Sequence, residues 1–213
     1  MNRLLALFAL CLCCDIAYAA EWHVDSLQGN DDAAKLDASG ATSFKTIQAA
    51  INNAADDDVI KVAPGVYKTS LHEDATHGRS RIFIGKPLTI ESTGNRDNTV
   101  IEGAWDELDA AHGLGVNAIR CVCAATNCTI KGFTLLNGAT RSGSDSNLTS
   151  GGGLLVPSGC SATANLEDCA VVRCSATRGG GMRRGKAYRT IFSDAMQAPT
   201  VRQAENHIIY SVS

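Results

Sequence analysis

Seven carboxylates sit among short apolar stretches in the middle of the chain: Glu91, Glu102, Asp106, Glu107, Asp109, Glu167 and Asp168. Arg120 and Arg173 are the basic residues that could serve them. Such residues cleave sugar polymers in two ways. Elimination from an acidic sugar needs carboxylates, often around Ca²⁺, and a base that removes a proton. Hydrolysis needs two or three carboxylates gathered at the scissile bond. None of the seven stands in a spacing that fixes either arrangement, and acidic side chains between turn residues ordinarily belong to a solvated face. No catalytic residue is therefore assigned, and no cofactor beyond Ca²⁺ in the case of a lyase.

The densest run of ligand-type side chains is His72-Glu73-Asp74-Ala75-Thr76-His77. Gly78 follows at once, which argues for a polar insertion rather than a helix presenting two histidines to a metal. Cys121-x-Cys123-x4-Cys128 lacks the paired spacing and neighbouring histidine of a zinc site. Trp22 and Trp105 could each stack on a sugar ring. Trp22 belongs to a strand and is expected to pack, whereas Trp105 stands in a polar stretch and is the better candidate for glycan contact. Asn127-Cys128-Thr129 and Asn147-Leu148-Thr149 fit the N-glycosylation pattern, which matters only in a eukaryotic secretory pathway.

Residues 1–20 read as a secretory leader: Arg3, an apolar run from Leu4 to Cys14, and the small-x-small site Ala17-Tyr18-Ala19, with cleavage after 19 or 20. The run is too short to cross a bilayer, so no transmembrane span is expected after cleavage. Loss of this segment removes one arginine and one aspartate and leaves the net charge at −3. That mild acidity, with no basic face, excludes nucleic acid as an expected partner. Six cysteines follow the leader: Cys121, Cys123, Cys128, Cys160, Cys169 and Cys174. In an exported chain an even number allows disulfides, in any of 15 pairings, and equally allows small buried thiols.

The elements that would position these residues begin with a helix. Thr42 or Ser43 can cap it, and Phe44, Ile47, Ala50, Ile51 and Ala54 share one face. Short strands follow at Val59–Val62, Arg81–Ile84, Leu88–Glu91, Thr99–Glu102, Ala118–Val122 and Thr129–Lys131, bounded by Gly, Asn, Asp or Pro. Phe133–Thr140 resembles Cys169–Ala176, 36 residues later, and each leads into a glycine triplet, Gly151–Gly153 or Gly179–Gly181. The triplets are 28 apart, the difference being the polar insert 141–148. A weaker third copy, Tyr188–Ala195, sets Thr190 against Val171. Such repetition predicts an all-β solenoid, a parallel β-helix with glycines at its corners, rather than an antiparallel sandwich. A stack of this kind leaves an open apolar end, so the helix at 43–55 is expected to roof it.

The segments "WHVDSLQGNDDA", "SFKTIQAAINNAADDDVIKVAPGVYK", "NCTIKGFTLLNGAT" and "GGGL" resemble secreted right-handed parallel β-helix proteins of the pectin-lyase-like superfamily, including bacterial surface and polymorphic outer-membrane types. The resemblance covers residues 22–182. It implies a right-handed coil, a secreted or cell-surface setting and association with polysaccharides or adhesion, without implying catalysis. The expected organisation is a leader over 1–20, an opening strand and N-terminal capping helix over 21–58, β-helix coils over 59–182 and an atypical segment over 183–213. That last segment is arginine-rich and loses its glycines, as expected of a truncated or frameshifted end or of an unusual cap. The expected function is a module that binds glycans or partner proteins. A polysaccharide lyase or glycoside hydrolase is the alternative.

Overall fold

A computed structural model describes residues 19–194, 196 and 197, so most of the expected leader, residues 1–18, and the stretch beyond 197 lie outside the described residues. The chain is mostly β, and its sheets are parallel. β1 (Glu21–Val24) is followed by α1 (Asp31–Leu36) and α2 (Ile47–Asn53). A first circuit then runs β2 (Val59–Val62), β3 (Gly65–Tyr67), and a hairpin of β4 (His72–Asp74) and β5 (Gly78–Ile84). The second is β6 (Leu88–Ser92), β7 (Thr99–Glu102) and β8 (Arg120–Ala124); the third is β9 (Cys128–Lys131), β10 (Thr134–Leu136) and β11 (Leu154–Leu155). The fourth comprises β12 (Ala164–Glu167), β13 (Ala170–Val172), β14 (Ser175–Ala176) and β15 (Met182–Arg183), and β16 (Lys186–Tyr188), β17 (Ile191–Ser193) and β18 (Met196–Gln197) continue it. Each circuit contributes to three sheets, ordered β1-β2-β6-β9-β12-β16, β17-β13-β10-β7-β3 and β15-β11-β8-β5-β4; the first circuit gives the third sheet both β4 and β5, and β14 pairs with β18 in a separate two-stranded sheet. Only β4–β5 pairs antiparallel among the described strands.

Period-2 alternation decides what lies inside. In the first sheet Ile60, Ile90, Ile130 and Leu166 stand side by side, in the second Tyr67, Ile101, Leu135 and Val171, in the third Ile82, Val122, Leu154 and Met182. All but Met182 are buried. These rows merge into one core, which Cys121, Cys128, Cys169 and Cys174 join and half-buried Cys160 packs against; Cys123 is buried outside it, and all six are free thiols. Burial pushes the Cys123 and Cys128 thiols up to about 12 and that of Cys169 to about 11, so these sulfurs behave as small apolar groups.

The repeats map onto register. Leu135 pairs with Val171, 36 residues on, and Leu154 with Met182, 28 on. The third copy is offset from the sequence alignment by two residues, because Val171 pairs with Phe192 rather than Thr190. Phe192, the bulkier apolar residue, is the one that packs against the core. Corners also differ from expectation. A single left-handed residue ends the last three first-sheet strands, at Gly132, Asp168 and Arg189, and the last three second-sheet strands, at Asn137, Arg173 and Asp194. Asn and Asp tolerate this region well, so glycine is not required there. The glycines instead permit close approach: a Cβ on Gly138 would lie 2.0 Å from the Gly152 carbonyl oxygen, and one on Gly152 2.4 Å from that of Ser175.

Helix α2 starts later than the sequence pattern suggests, with Thr46 as its cap. Phe44 is held extended instead, its N–H donating to the His23 carbonyl and its own carbonyl accepting from Asp25, while Asp31 receives the Lys45 and Thr46 N–H groups. The apolar face is as read, with Phe44, Ile47, Ala50, Ile51 and Ala54 all buried. This face packs on β1, β2 and β5, strands at or next to the amino-terminal edges of two sheets. The sequence pattern does not reveal α1; its six residues follow the cap Asn30, whose side chain accepts from the Asp32 and Ala33 N–H groups. Among the described residues no helix is long and apolar enough to cross a membrane.

Candidate functional site

The carboxylates singled out by type are dispersed, and most are engaged locally. On the outer face of the first sheet Lys61, Glu91, Lys131 and Glu167 are register neighbours, a row of alternating charge. Adjacent strands lie ~4.8 Å apart, so the row neutralises itself. Lys61 bonds Glu91 directly, and that bond raises the lysine's pKa. Glu102 takes the Asn137 side-chain amide at 3.2 Å. Asp106, 3% exposed, accepts the N–H groups of Asn117 and Leu108, which hold its carboxyl below the usual range. Asp109 accepts from His112 and Leu114 in the same loop, Glu107 is exposed, and Asp168 makes a two-point ion pair with Arg189 at 2.6 and 2.7 Å.

Neither arginine candidate faces these carboxylates as a base would. Arg120 is 1% exposed and donates to the carbonyls of His77, Asn147, Leu148 and Ser150. Arg173 lies over the Trp105 ring, 5.4 Å from its centroid, and its carbonyl accepts the Trp105 indole N–H at 3.0 Å. A Cβ on Gly113 would come 2.5 Å from the same ring, so Trp105 is half-buried between loop and corner. Trp22 packs edge-on against Phe44, with ring centroids 6.1 Å apart, and its indole N–H donates to Asp58 at 2.8 Å.

The histidine run forms the β4–β5 hairpin. Ring nitrogens of His72 and His77 each lie 2.9 Å from Asp74 Oδ2, and His72 stacks on Phe83 with centroids 4.4 Å apart. Partial burial pushes the Asp74 carboxyl up, but hydrogen bonds from His77 and His72 and from the His77 and Thr76 N–H groups outweigh it and hold the carboxyl well below the usual range. Among the described residues no three His, Cys, Asp or Glu side chains gather as metal ligands. The two glycosylation-pattern asparagines tie turns together: Asn127 accepts the Thr163 N–H and Asn147 the Ser158 N–H, both at 2.8 Å.

The concave feature with convergent polar groups lies elsewhere, between residues 115–116 and 141–149. It has a volume of about 400 Å³, is lined by Arg141, Ser142, Ser144 and Asp145, and is flanked by Val116 and Leu148. Sequence reasoning did not nominate these residues, yet the signal was present: this is the insert that lengthens one repeat from 28 to 36. Its walls are held by main chain. Arg120 grips the Asn147 and Leu148 carbonyls of the insert and the Ser150 carbonyl just after it, the Asp145 carbonyl accepts from the Thr149 N–H at 3.0 Å and its hydroxyl at 2.6 Å, and Gly115 N–H donates to the Thr140 carbonyl at 3.1 Å. Arg141 stands 3.5 Å from Glu73, which Arg79 approaches from the other side at 3.4 Å while also donating to the Val116 carbonyl. A shallow, open hollow whose polar side chains stand beside a larger apolar surface can bind a polyhydroxylated ligand; nothing in its lining pairs a nucleophile with a base. No known protein family, no curated protein sequence and no solved structure matches the chain.

Proposed function

We propose that this protein is a right-handed parallel β-helix module, secreted or displayed at a cell surface, that binds glycans through the hollow formed by the 141–149 insert. The rotation of successive strands through three parallel sheets supports the β-helix reading, and α2 against its first strands supports a roofing role. The observation that carries the binding assignment is the hollow itself: Arg141, Ser142, Ser144 and Asp145 line it beside Val116, next to the Asn147 and Leu148 carbonyls that Arg120 holds. Its volume falls within the range of small-ligand clefts, and a sugar ring offers hydroxyls to such groups and C–H faces to the apolar patches.

The experiment is retention in native gels cast with neutral or acidic polysaccharides. Retention on at least one polymer, lost in Arg141→Ala and Asp145→Ala and kept in the distant surface variant Lys35→Ala, is the expected result. Equal mobility in every gel overturns the reading. The lyase alternative is checked in parallel with polygalacturonate and Ca²⁺: ultraviolet absorbance from unsaturated product stays flat if the protein is a binding module, and a rise establishes elimination instead.

A further inference from the structure

Asp58 is a carboxylate at 4% exposure whose three hydrogen-bond donors are all neutral. Oδ2 accepts from the Trp22 indole and the Ala55 N–H, both at 2.8 Å, and Oδ1 accepts from the Ala20 N–H at 2.7 Å. Among the described residues no Lys, Arg or His reaches it within ion-pair distance; Lys86, the cation that acts on it through space, turns its ammonium to the carbonyls of Asn52 and Ala54. An enclosed carboxylate without a cation is expensive, and the group that would supply one is already in place as an amide. The Ala20 carbonyl accepts the Val59 N–H at 2.9 Å, so Ala20 is docked against the residue next to Asp58.

Ala17-Tyr18-Ala19 immediately precedes it. We infer that an export-pathway endopeptidase hydrolyses the Ala19–Ala20 bond and that the Ala20 ammonium so released becomes the counter-ion of Asp58. Water adds across the amide: its oxygen goes to the Ala19 carbonyl carbon, which leaves as a carboxylate, and the Ala20 nitrogen takes up protons to become an ammonium. The 2.7 Å contact then changes from a neutral donor to a charged one, which about doubles the strength of such a bond. Cleavage one residue later would start the chain at Glu21 and strip Oδ1 of its partner. Maturation on this account completes the fold, because the charge that pairs with Asp58 exists only after the leader is gone. The inference rests on the exported reading given above.

The test has two arms. The full chain is expressed in a secreting host and the amino terminus of exported protein is read by mass spectrometry; a start at Ala20 is expected, and a start at Glu21 or a retained leader in exported material overturns the site. An intact chain confined to the cell overturns the exported reading together with this one. Separately, chains starting at Ala20 and two residues earlier are prepared with a site-specific protease and unfolded in urea. The Ala20 start is expected to have a folding equilibrium constant about tenfold larger, the lower end of a charge-assisted contact. Asp58→Asn in both backgrounds is expected to erase that difference. Equal stability of the two chains overturns the ion pair whatever the behaviour of the Asp58 variants.

Discussion

Replacing Gly138 by alanine is expected to cost far more than an exposed glycine would, because Gly138 is wedged between the Gly152 backbone, later in the same circuit, and Cys121 of the preceding one. Its added methyl would lie 2.0 Å from the Gly152 carbonyl oxygen, 2.8 Å from the Gly152 carbonyl carbon and 2.8 Å from Cys121 Sγ. Reaching ordinary contact requires the Gly152 backbone to retreat by roughly 1.4 Å. That carbonyl also accepts the Cys121 N–H at 3.0 Å, and a retreat of this size breaks the bond. Overpacking costs about 1–3 kcal/mol and the lost ladder bond about 1 kcal/mol, so a loss near 3 kcal/mol is expected. Gly159 provides the control: it has φ of +94° and nothing within 4 Å of an added Cβ, so alanine there carries only backbone strain. That strain is worth about 1 kcal/mol. Urea unfolding followed by far-ultraviolet circular dichroism and by tryptophan fluorescence measures both variants, with an unchanged slope showing that the same surface is exposed. If Gly138→Ala proves no more destabilising than Gly159→Ala, close backbone approach is not what Gly138 serves.

Arg120→Met should lower stability by about 3 kcal/mol, since it strands several carbonyls at once, and limited proteolysis should then cut first within 141–149. In the acid range the depressed Asp74 carboxyl contributes stability that is fully present above its unfolded value of about 3.9 and is lost as pH falls through its lower folded value. Asp74→Asn should accordingly flatten the decline in stability below about pH 4, as read from urea midpoints in a pH series. Ellman's reagent should modify one thiol, Cys160, in the native protein and all six once a chain starting at Ala20 is unfolded; a rapid native titre of several thiols would contradict the buried placement of the other five.

Strands were legible because alternation and burial coincide. Ile60, Ile82, Ile90, Ile101 and Ile130 are each flanked by residues that face outward or terminate a strand, and all five lie in the core. The 36-residue repeat foretold the Leu135–Val171 register for the same reason: two copies of one pattern bury the same face. What escaped the sequence depends on contacts between distant residues. Phe44 fits the helical pattern of Ile47 and Ile51, but its backbone pairs with β1, and only that pairing shows why α2 begins late. Arg120, by type a candidate base, is enclosed, since its acceptors are the carbonyls of residues 77, 147, 148 and 150, chosen by proximity rather than by side-chain type. The 141–149 hollow was visible only as extra length between two glycine triplets, with no hint of what would face it.

Arg120 recognises its neighbours by main-chain oxygen alone, and this leaves the identities of the residues it moors unconstrained. A loop tethered in that manner can exchange its outward residues freely while keeping its path. The scaffold is thereby suited to diversification, natural or engineered: randomising positions 142–145 should yield folded variants with altered ligand preference, provided the guanidinium beneath them is retained.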